Sequence, residues 1–475
     1  MKICIIAEGS YPYGTGGVSS WVQTILTNMS EHEFIIYAIG AEKKSKGKFK
    51  YQLPPNVSHV EEVFLDDFTE EEDKWGRDYK LTEKEKKALK SLLDSRKPDW
   101  DTLLSMFSGE RIDSAVNFLK SKDFFDIVHE ICLEKYDQIP FTDMFWSMRS
   151  MVLPLLICIK HPLPEADLYH SVSTGYAGVL GSLGKYMYQK PFLMTEHGIY
   201  TREREEEIIK AQWVKGYFKD LWIQYFYNMS TCAYDTADKV ITLFQKNMEI
   251  QEELGCSPSK ISIIPNGVNS EDYHQLPTGN AINQNGLNIG AIVRVVPIKD
   301  IKTMIQSFAI VKQELPSSKF FIMGPTDEDE EYYEECIQLA ENLQVEDVIF
   351  TGEVNVREYI KRMDVLVLSS ISEGQPLVLL EGMASGKPFV ATDVGNCRGI
   401  LMGERDDLGQ AGIVVPVMQY VEMARAIIQL CKDDQKRQSM GAIGRERAIL
   451  FYSKKSFIAQ YKQLYKDMVD NIWQG

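Results

Sequence analysis

Short apolar runs recur along the chain, each closed by a turn cluster. KICIIAE (2–8) runs into YPYGTGG, then into the helical pattern VSSWVQTILTNM (18–29), then into EFIIYAIG (33–40). Runs this short and continuously apolar predict strands buried on both faces, as in parallel sheets. A strand, a glycine-rich loop, a helix and a second strand open a doubly wound α/β domain. The pattern resumes at DLYHSVSTGYAG (167–178), KPFLMTEHG (190–198), DKVITLF (238–244) and ISIIPNGVN (261–269). Polar DYHQLPTGNAINQNG (272–286) then predicts a linker. A second series follows: LNIGAIVRV (287–295), KFFIMG (319–324), DVIFTG (347–352), DVLVLSS (364–370), KPFVATDV (387–394) and AGIVVPV (411–417), separated by amphipathic helices such as KTMIQSFAIVKQEL (302–315). The tail, 419–475, reads as consecutive helices.

The predicted fold class is therefore α/β, with two Rossmann-like doubly wound domains facing across a cleft. The expected divisions are 1–278, 279–450 and a C-terminal helix, 451–475, crossing back to the first domain. The first domain carries an insertion at about 43–165, rich in Lys, Glu and Asp, as in EEVFLDDFTEEEDKW (61–75) and LTEKEKKALKSLLDS (81–95). Such charge runs predict a mainly helical, solvated segment.

Charge and composition narrow the function classes. The net charge of −16 argues against non-specific nucleic-acid binding, which needs basic surface. The eight cysteines are dispersed with no C-x-x-C pair, which indicates neither zinc nor a redox motif. The opening MKICIIAEGSYP is too short an apolar run for a signal sequence, and MVLPLLICI (151–159), broken by Pro154, falls short of the roughly 20 residues of a bilayer span. The expectation is a cytoplasmic protein.

In open parallel sheets ligands bind beyond the C-terminal ends of the strands, so candidate chemistry is sought on strand–helix loops. SEGQPLVLLEG (372–382) follows one such strand. Pro376 suits the first helical position, and the free N–H groups behind it make an anion site. Glu381 interrupts an otherwise apolar helix, and Glu373 precedes it on the loop. RVVPIK (294–299) puts Arg294 and Lys299 at another strand end, two cations able to neutralise a diphosphate. Asp327-Glu328-Asp329 has the Asp-x-Asp form of a metal site, but lies in TDEDEEYYEE, which reads as acidic residues at a helix start; no metal or other cofactor is expected. YGTGGVSS (13–20) lacks the third glycine of a dinucleotide fingerprint; Gly14 and Gly16 instead allow a ligand close to the backbone. His197, in TEHG, ends an apolar strand, with Arg202 and Arg204 just beyond it.

The GGV loop, the R-x4-K pair and E-G-x-P-L-x-x-x-E together resemble the retaining glycosyltransferases of family 4, whose GT-B fold holds the donor between two Rossmann domains. EGSYPYGTGGVSSWV and TEHGIYTRERE, with the long charged insertion, resemble more narrowly the PelF-type enzymes of Pel exopolysaccharide synthesis. The resemblance implies roles. Arg294 and Lys299 neutralise the nucleotide diphosphate, helped by N–H groups around Leu377 and Val378. Glu381 binds the ribose hydroxyls, and Glu373, followed by Gly374, lies at the donor sugar. Gly352, Glu353 and Val354 contact the base. Gly16, Gly17 and Val18 bring the N-domain backbone to phosphates and sugar, and His197 faces the donor sugar or the acceptor. Asn266 and Gly267 match a structural turn. The implied partners are a nucleotide-sugar donor, UDP-linked on the PelF resemblance, a saccharide acceptor and a membrane-embedded polysaccharide synthase or export complex, with no nucleic acid. The competing readings are a sugar-nucleotide epimerase, a nicotinamide oxidoreductase and a non-catalytic nucleotide-sugar-binding scaffold.

Overall fold

The computed structural model describes residues 1–68, 76–274, 286–404 and 406–470. The chain forms two compact units: Met1–Ile263 with Tyr461–Gly475, and Ile264–Gln460. Most of the expected linker, 275–285, lies outside the described residues, as does 69–75 of the insertion.

The first unit is built on seven parallel strands: β1 (Lys2–Glu8), β2 (Glu33–Gly40), β3 (Val57–Phe64), β4 (Leu168–Ser171), β5 (Phe192–Glu196), β6 (Lys239–Thr242) and β7 (Ile261–Ile263), in the order β3-β2-β1-β4-β5-β6-β7. The central strands carry unbroken apolar runs because helices cover both faces, and their side chains are almost wholly buried. Successive strands run outward from β1 to β3, and β4 then returns to the other side of β1. The topological switch point therefore lies at the C-terminal ends of β1 and β4.

The insertion departs from its expectation in two ways. VSHVEEVF, within the segment expected to be helical, is the edge strand β3, paired in parallel with β2. The helices that follow, among them Glu83–Leu93 and Lys122–Lys135, are charged on one side only. Leu89, Leu92, Leu93, Phe118, Phe124 and Ile131 are fully or almost fully buried in the same core as the sheet. The segment is thus a packed helical layer and not a solvated appendage. Thr82 starts it with a capping box to Glu85, as TEKE implies.

The apolar run 151–159 belongs to the helix Phe141–Lys160, which continues through Pro154. By length and composition this helix could cross a membrane, but Met148, Val152, Leu155, Leu156 and Ile159 pack in the core of the first unit, the ordinary state of a buried helix. All eight cysteines are free and buried.

The second unit has six parallel strands: β8 (Asn288–Ile292), β9 (Lys319–Met323), β10 (Val348–Gly352), β11 (Val365–Leu368), β12 (Phe389–Thr392) and β13 (Gly412–Val415), in the order β10-β9-β8-β11-β12-β13. Its switch point is at the ends of β8 and β11. The loops leaving those two strands carry Arg294 to Lys299 and Ser369 to Gly374. Helical tail residues close this unit: Arg447 is fully buried and holds both oxygens of Asp406 at 2.7 Å, which keeps that carboxyl below its ordinary range.

Candidate functional site

In the second unit the switch-point loops are stitched together by backbone and hydroxyl groups. Ser369 Oγ donates to the carbonyls of Lys299 and Asp300, at 2.7 and 2.9 Å. Ile371 N donates to Ile298 O at 2.9 Å. This seam turns Lys299 toward the β11 loop, where its Nζ meets Glu373 Oε1 at 2.5 Å. Ser370 Oγ donates to the same oxygen at 2.6 Å. Lys299 and Glu373 are only 18% and 12% exposed, so their attraction is screened less than that of a surface pair.

Arg294 does not join them. Its Nη1 lies 2.6 Å from Glu328 Oε2, in an exposed pair. The two cations expected to act as a pair are held by separate carboxylates, because the turn Pro297–Lys299 redirects the chain between them. Glu328 is thereby engaged, and Asp329 caps the following helix by accepting from Tyr332 N. No group of three or more His, Cys, Asp or Glu among the described residues could hold a metal ion.

Pro376 is the N-cap of the helix Leu377–Ala384 and not its first residue, so the helix begins one position later than expected. No side chain caps that end, and the half-buried Leu377 and Val378 lead the first turn with their N–H groups. Gly374 O accepts from Asn396 N at 2.9 Å. Gln375, to which the sequence assigns no role, is buried and accepts Asn266 N on its Oε1 at 2.6 Å; Asn266 Nδ2 returns a bond to Gln375 O at 3.3 Å. The Asn266-Gly267 turn is thus fastened to the glutamate loop.

Glu381 also has a partner that the sequence does not reveal. Burial raises its pKa, offset by a hydrogen bond from Tyr273 and by the nearby Arg357 guanidinium. Arg357 itself pairs with Asp272 at 2.8 Å and sits 5.6 Å from the Tyr273 ring. A carboxylate accepts more than one bond, so Tyr273 leaves acceptor capacity on Glu381. Beyond β10, Gly352 O accepts from Gly324 N, Glu353 is exposed, and Val354 packs on the core.

In the first unit, Gly16 and Gly17 open the helix Gly17–Asn28, with no side-chain cap. A Cβ at either position would meet nothing within 4 Å, so the backbone here is approachable. Val18 follows, half-buried. One turn on, the Trp21 ring meets His197 edge-to-face at 4.9 Å. His197 Nε2 is buried without a protein partner.

Three residues with no assigned role lie beside them. Glu8, at the end of β1, accepts from Tyr200 Oη at 3.0 Å and Tyr176 N at 3.0 Å, and lies 3.4 Å from Arg204 Nη2. Glu196, at the end of β5, accepts from Tyr234 Oη and Gln251 Nε2, both at 2.7 Å. Burial raises both carboxyls. A carboxylate closing each of two otherwise largely apolar strands was the available signal. The Arg204 guanidinium covers the Tyr200 ring at 4.9 Å. The third is His170, buried on β4.

Burial pushes His170 down to about 3 and His197 down to about 4. Both are neutral in the folded chain at neutral pH, whereas unfolded histidines titrate near about 6.5. The unfolded state therefore binds the extra protons on acidification. The contribution of these groups to stability is complete above that pH and is lost as pH falls toward their folded values. In an NMR titration both imidazoles should remain neutral at a pH of about 5.5, where an unperturbed histidine is mostly charged; a protonated His197 at that pH would contradict this burial.

The two parallel-sheet units, each with its switch point at strand ends, have the architecture of the GT-B fold class. Residues 275–447 match the family described as Glycosyl transferases group 1. The chain as a whole belongs to the family described as Domain of unknown function (DUF3492), which matches residues 1–259, more than half of it. Among curated relatives, the N-acetyl-alpha-D-glucosaminyl L-malate synthase of Bacillus anthracis is 30% identical over 180 residues, covering 38% of this chain and 45% of that protein. The UDP-Gal:alpha-D-GlcNAc-diphosphoundecaprenol alpha-1,3-galactosyltransferase of Escherichia coli is 25% identical over 321 residues, 64% of this chain and 76% of the relative. The chain thus spans less than half of the first relative's length. Anabaena HepE, solved in complex with UDP, shares the fold at a TM-score of 0.63 and 16% identity, over 98% of this chain and 100% of HepE.

Proposed function

We propose that this protein is a glycosyltransferase: a retaining, metal-independent hexosyltransferase that passes a sugar from a UDP-sugar to a growing exopolysaccharide of the Pel type, at the cytoplasmic face of a membrane synthase complex. The observation that carries the reading is the constellation at the β8/β11 switch point: Lys299 against Glu373, beside the uncapped N-terminus of Leu377–Ala384. An ammonium has three donors, so Lys299 can keep Glu373 and still serve a phosphate oxygen. The helix N–H groups add fixed positive potential toward the same charge.

Departure of the diphosphate leaves an oxocarbenium-like sugar, and stabilising the leaving anion is the main lever on the barrier. Arg294 contributes on leaving Glu328 for the phosphate. Glu381 takes the ribose hydroxyls on its remaining lone pairs, while Gly352 to Val354 border the base. Glu373, engaged by Lys299 and Ser370, is suited to hold sugar hydroxyls and is no free nucleophile. Same-face attack with the leaving phosphate as base then gives retention. In the first unit, Ser10, Ser171, Ser173 and Thr242 carry buried hydroxyls without protein partners at or just beyond the ends of β1, β4 and β6, a polar lining for a polyhydroxylated acceptor. Gly16 to Val18 and neutral His197 complete that side. UDP as carrier is supported by the name of the Escherichia coli relative and by the PelF-type motifs.

Thermal shift across nucleotides tests the reading, because a ligand at about 100 Kd adds roughly 2.7 kcal/mol to stability. UDP and UDP-sugars should raise the melting temperature, GDP and ADP should not, and EDTA should change neither this nor turnover. The absence of a shift with any uridine nucleotide, or activity abolished by EDTA and restored by Mn²⁺, would overturn it.

A further inference from the structure

We infer that Tyr465 and His170 are positioning residues for His197: a buried hydroxyl–imidazole chain roofed by the C-terminal helix fixes the shelf on which His197 and the glycine turn are set. The inference rests on the reading of His197 as a sugar-facing group. Residues Tyr461–Gly475 follow the second unit in sequence but belong to the first. On the helix Lys454–Asp470, Tyr465 Oη lies 2.8 Å from His170 Nδ1. His170 Nε2 lies 2.8 Å from Thr195 Oγ1, which in turn lies 3.0 Å from Tyr461 Oη. His170, Thr195, Tyr461 and Tyr465 are all fully buried. A neutral imidazole needs one donor and one acceptor, and the hydroxyls at its two nitrogens can supply either.

The chain reaches the proposed reacting face by two routes. Thr195 stands two residues before His197 at the end of β5. Trp21 packs its ring edge-to-face on Tyr461 at 5.3 Å, on His170 at 5.7 Å and on His197 at 4.9 Å. Trp21 is the fifth residue of the helix that Gly16 and Gly17 open. A packed ring cluster transmits small shifts because interiors are close-packed, so loss of one phenol oxygen at Tyr465 is felt at His197. A hydroxyl removed from a buried pair also leaves its imidazole partner unsatisfied.

Tyr465→Phe in the full chain tests this. The expected result is a drop in kcat of about tenfold with the donor KM changed less than about threefold, since the interaction serves the transition state and not donor binding. UDP affinity, read independently, should be unchanged. Thr195→Ser, which keeps the hydroxyl, should retain turnover that Thr195→Val loses, which keeps the test open if Tyr465→Phe misfolds. Lys462→Ala removes an exposed pair to Glu31 on the same helix and should leave kcat unaltered. The side-chain ¹⁵N signals of His197 should move in Tyr465→Phe but not in Lys462→Ala. Unmoved His197 signals with kcat within about twofold of the parent would overturn the inference. If the parent neither binds UDP nor transfers sugar, the functional reading fails, and the His197 signals alone then decide the positioning role.

Discussion

Lys299→Ala is expected to lower kcat by about 100- to 1000-fold, roughly 2.7–4 kcal/mol, the scale for losing one preorganised electrostatic donor. Two effects contribute and they separate. The first is loss of the ammonium that meets the developing charge on the diphosphate. The second is loss of the partner of Glu373, a carboxylate only 12% exposed and otherwise bonded to Ser370. A half-broken pair of this kind destabilises more than removal of both members does. Adding Glu373→Gln to Lys299→Ala should therefore recover much of the lost stability in urea melts while leaving turnover low. Turnover near the parent value in Lys299→Ala would remove the diphosphate assignment. Recovery of turnover along with stability would mean that the lysine serves only to hold the loop.

The parts of this picture legible in sequence were those with local periodicity. Among the described residues, twelve of the thirteen strands sit inside the apolar runs that predict them. β3 hides because VSHVEEVF is an edge strand interrupted by the exposed His59 and the half-buried Glu61 and Glu62, so it lacks the continuous run of an interior parallel strand. The insertion hides its core because Lys and Glu outnumber Leu in composition, while Leu89, Leu92 and Leu93 recur on one helical face and are buried. The Glu373–Glu381 spacing could be read directly, as could the helix that starts between them. Their partners could not: Asn266 and Gln375 are 109 residues apart, and His170 and Tyr465 are 295 apart. Nor does the R-x4-K spacing reveal that the turn within it sends Lys299 to Glu373 while Arg294 goes to Glu328.

Gly395→Ala should abolish nucleotide binding and destabilise the second unit, although residue 395 carries none of the chemistry. Gly395 has φ of 51°, in the left-handed region, where a residue with a Cβ costs about 1–2 kcal/mol. Its added Cβ would stand 2.2 Å from Glu373 O and 2.3 Å from Gly374 O, both backbone atoms that no rotamer change can clear. Relief requires moving the Glu373–Gly374 peptide or the β12 loop, and forced overpacking costs a further ~1–3 kcal/mol. The next residue, Asn396, donates to Gly374 O, so a shift of the β12 loop also breaks the bond that holds the glutamate loop. Displacing Gly374 drags Gln375 from Asn266 and tilts Pro376, hence the N-terminus of Leu377–Ala384. Every group assigned to the donor between 373 and 381 thus moves together. The expected result is a total loss of ~2–5 kcal/mol in denaturant melts, the sum of those two costs, and no thermal shift with UDP. Gly386→Ala is the matched comparison: its φ of 71° carries the same backbone cost, but its Cβ would meet only Gly441 O, at an ordinary 3.9 Å. It should be destabilised by the conformational share alone and keep its response to UDP. Equal losses in the two variants would show that backbone conformation, and not the contact with Glu373 and Gly374, is what residue 395 contributes.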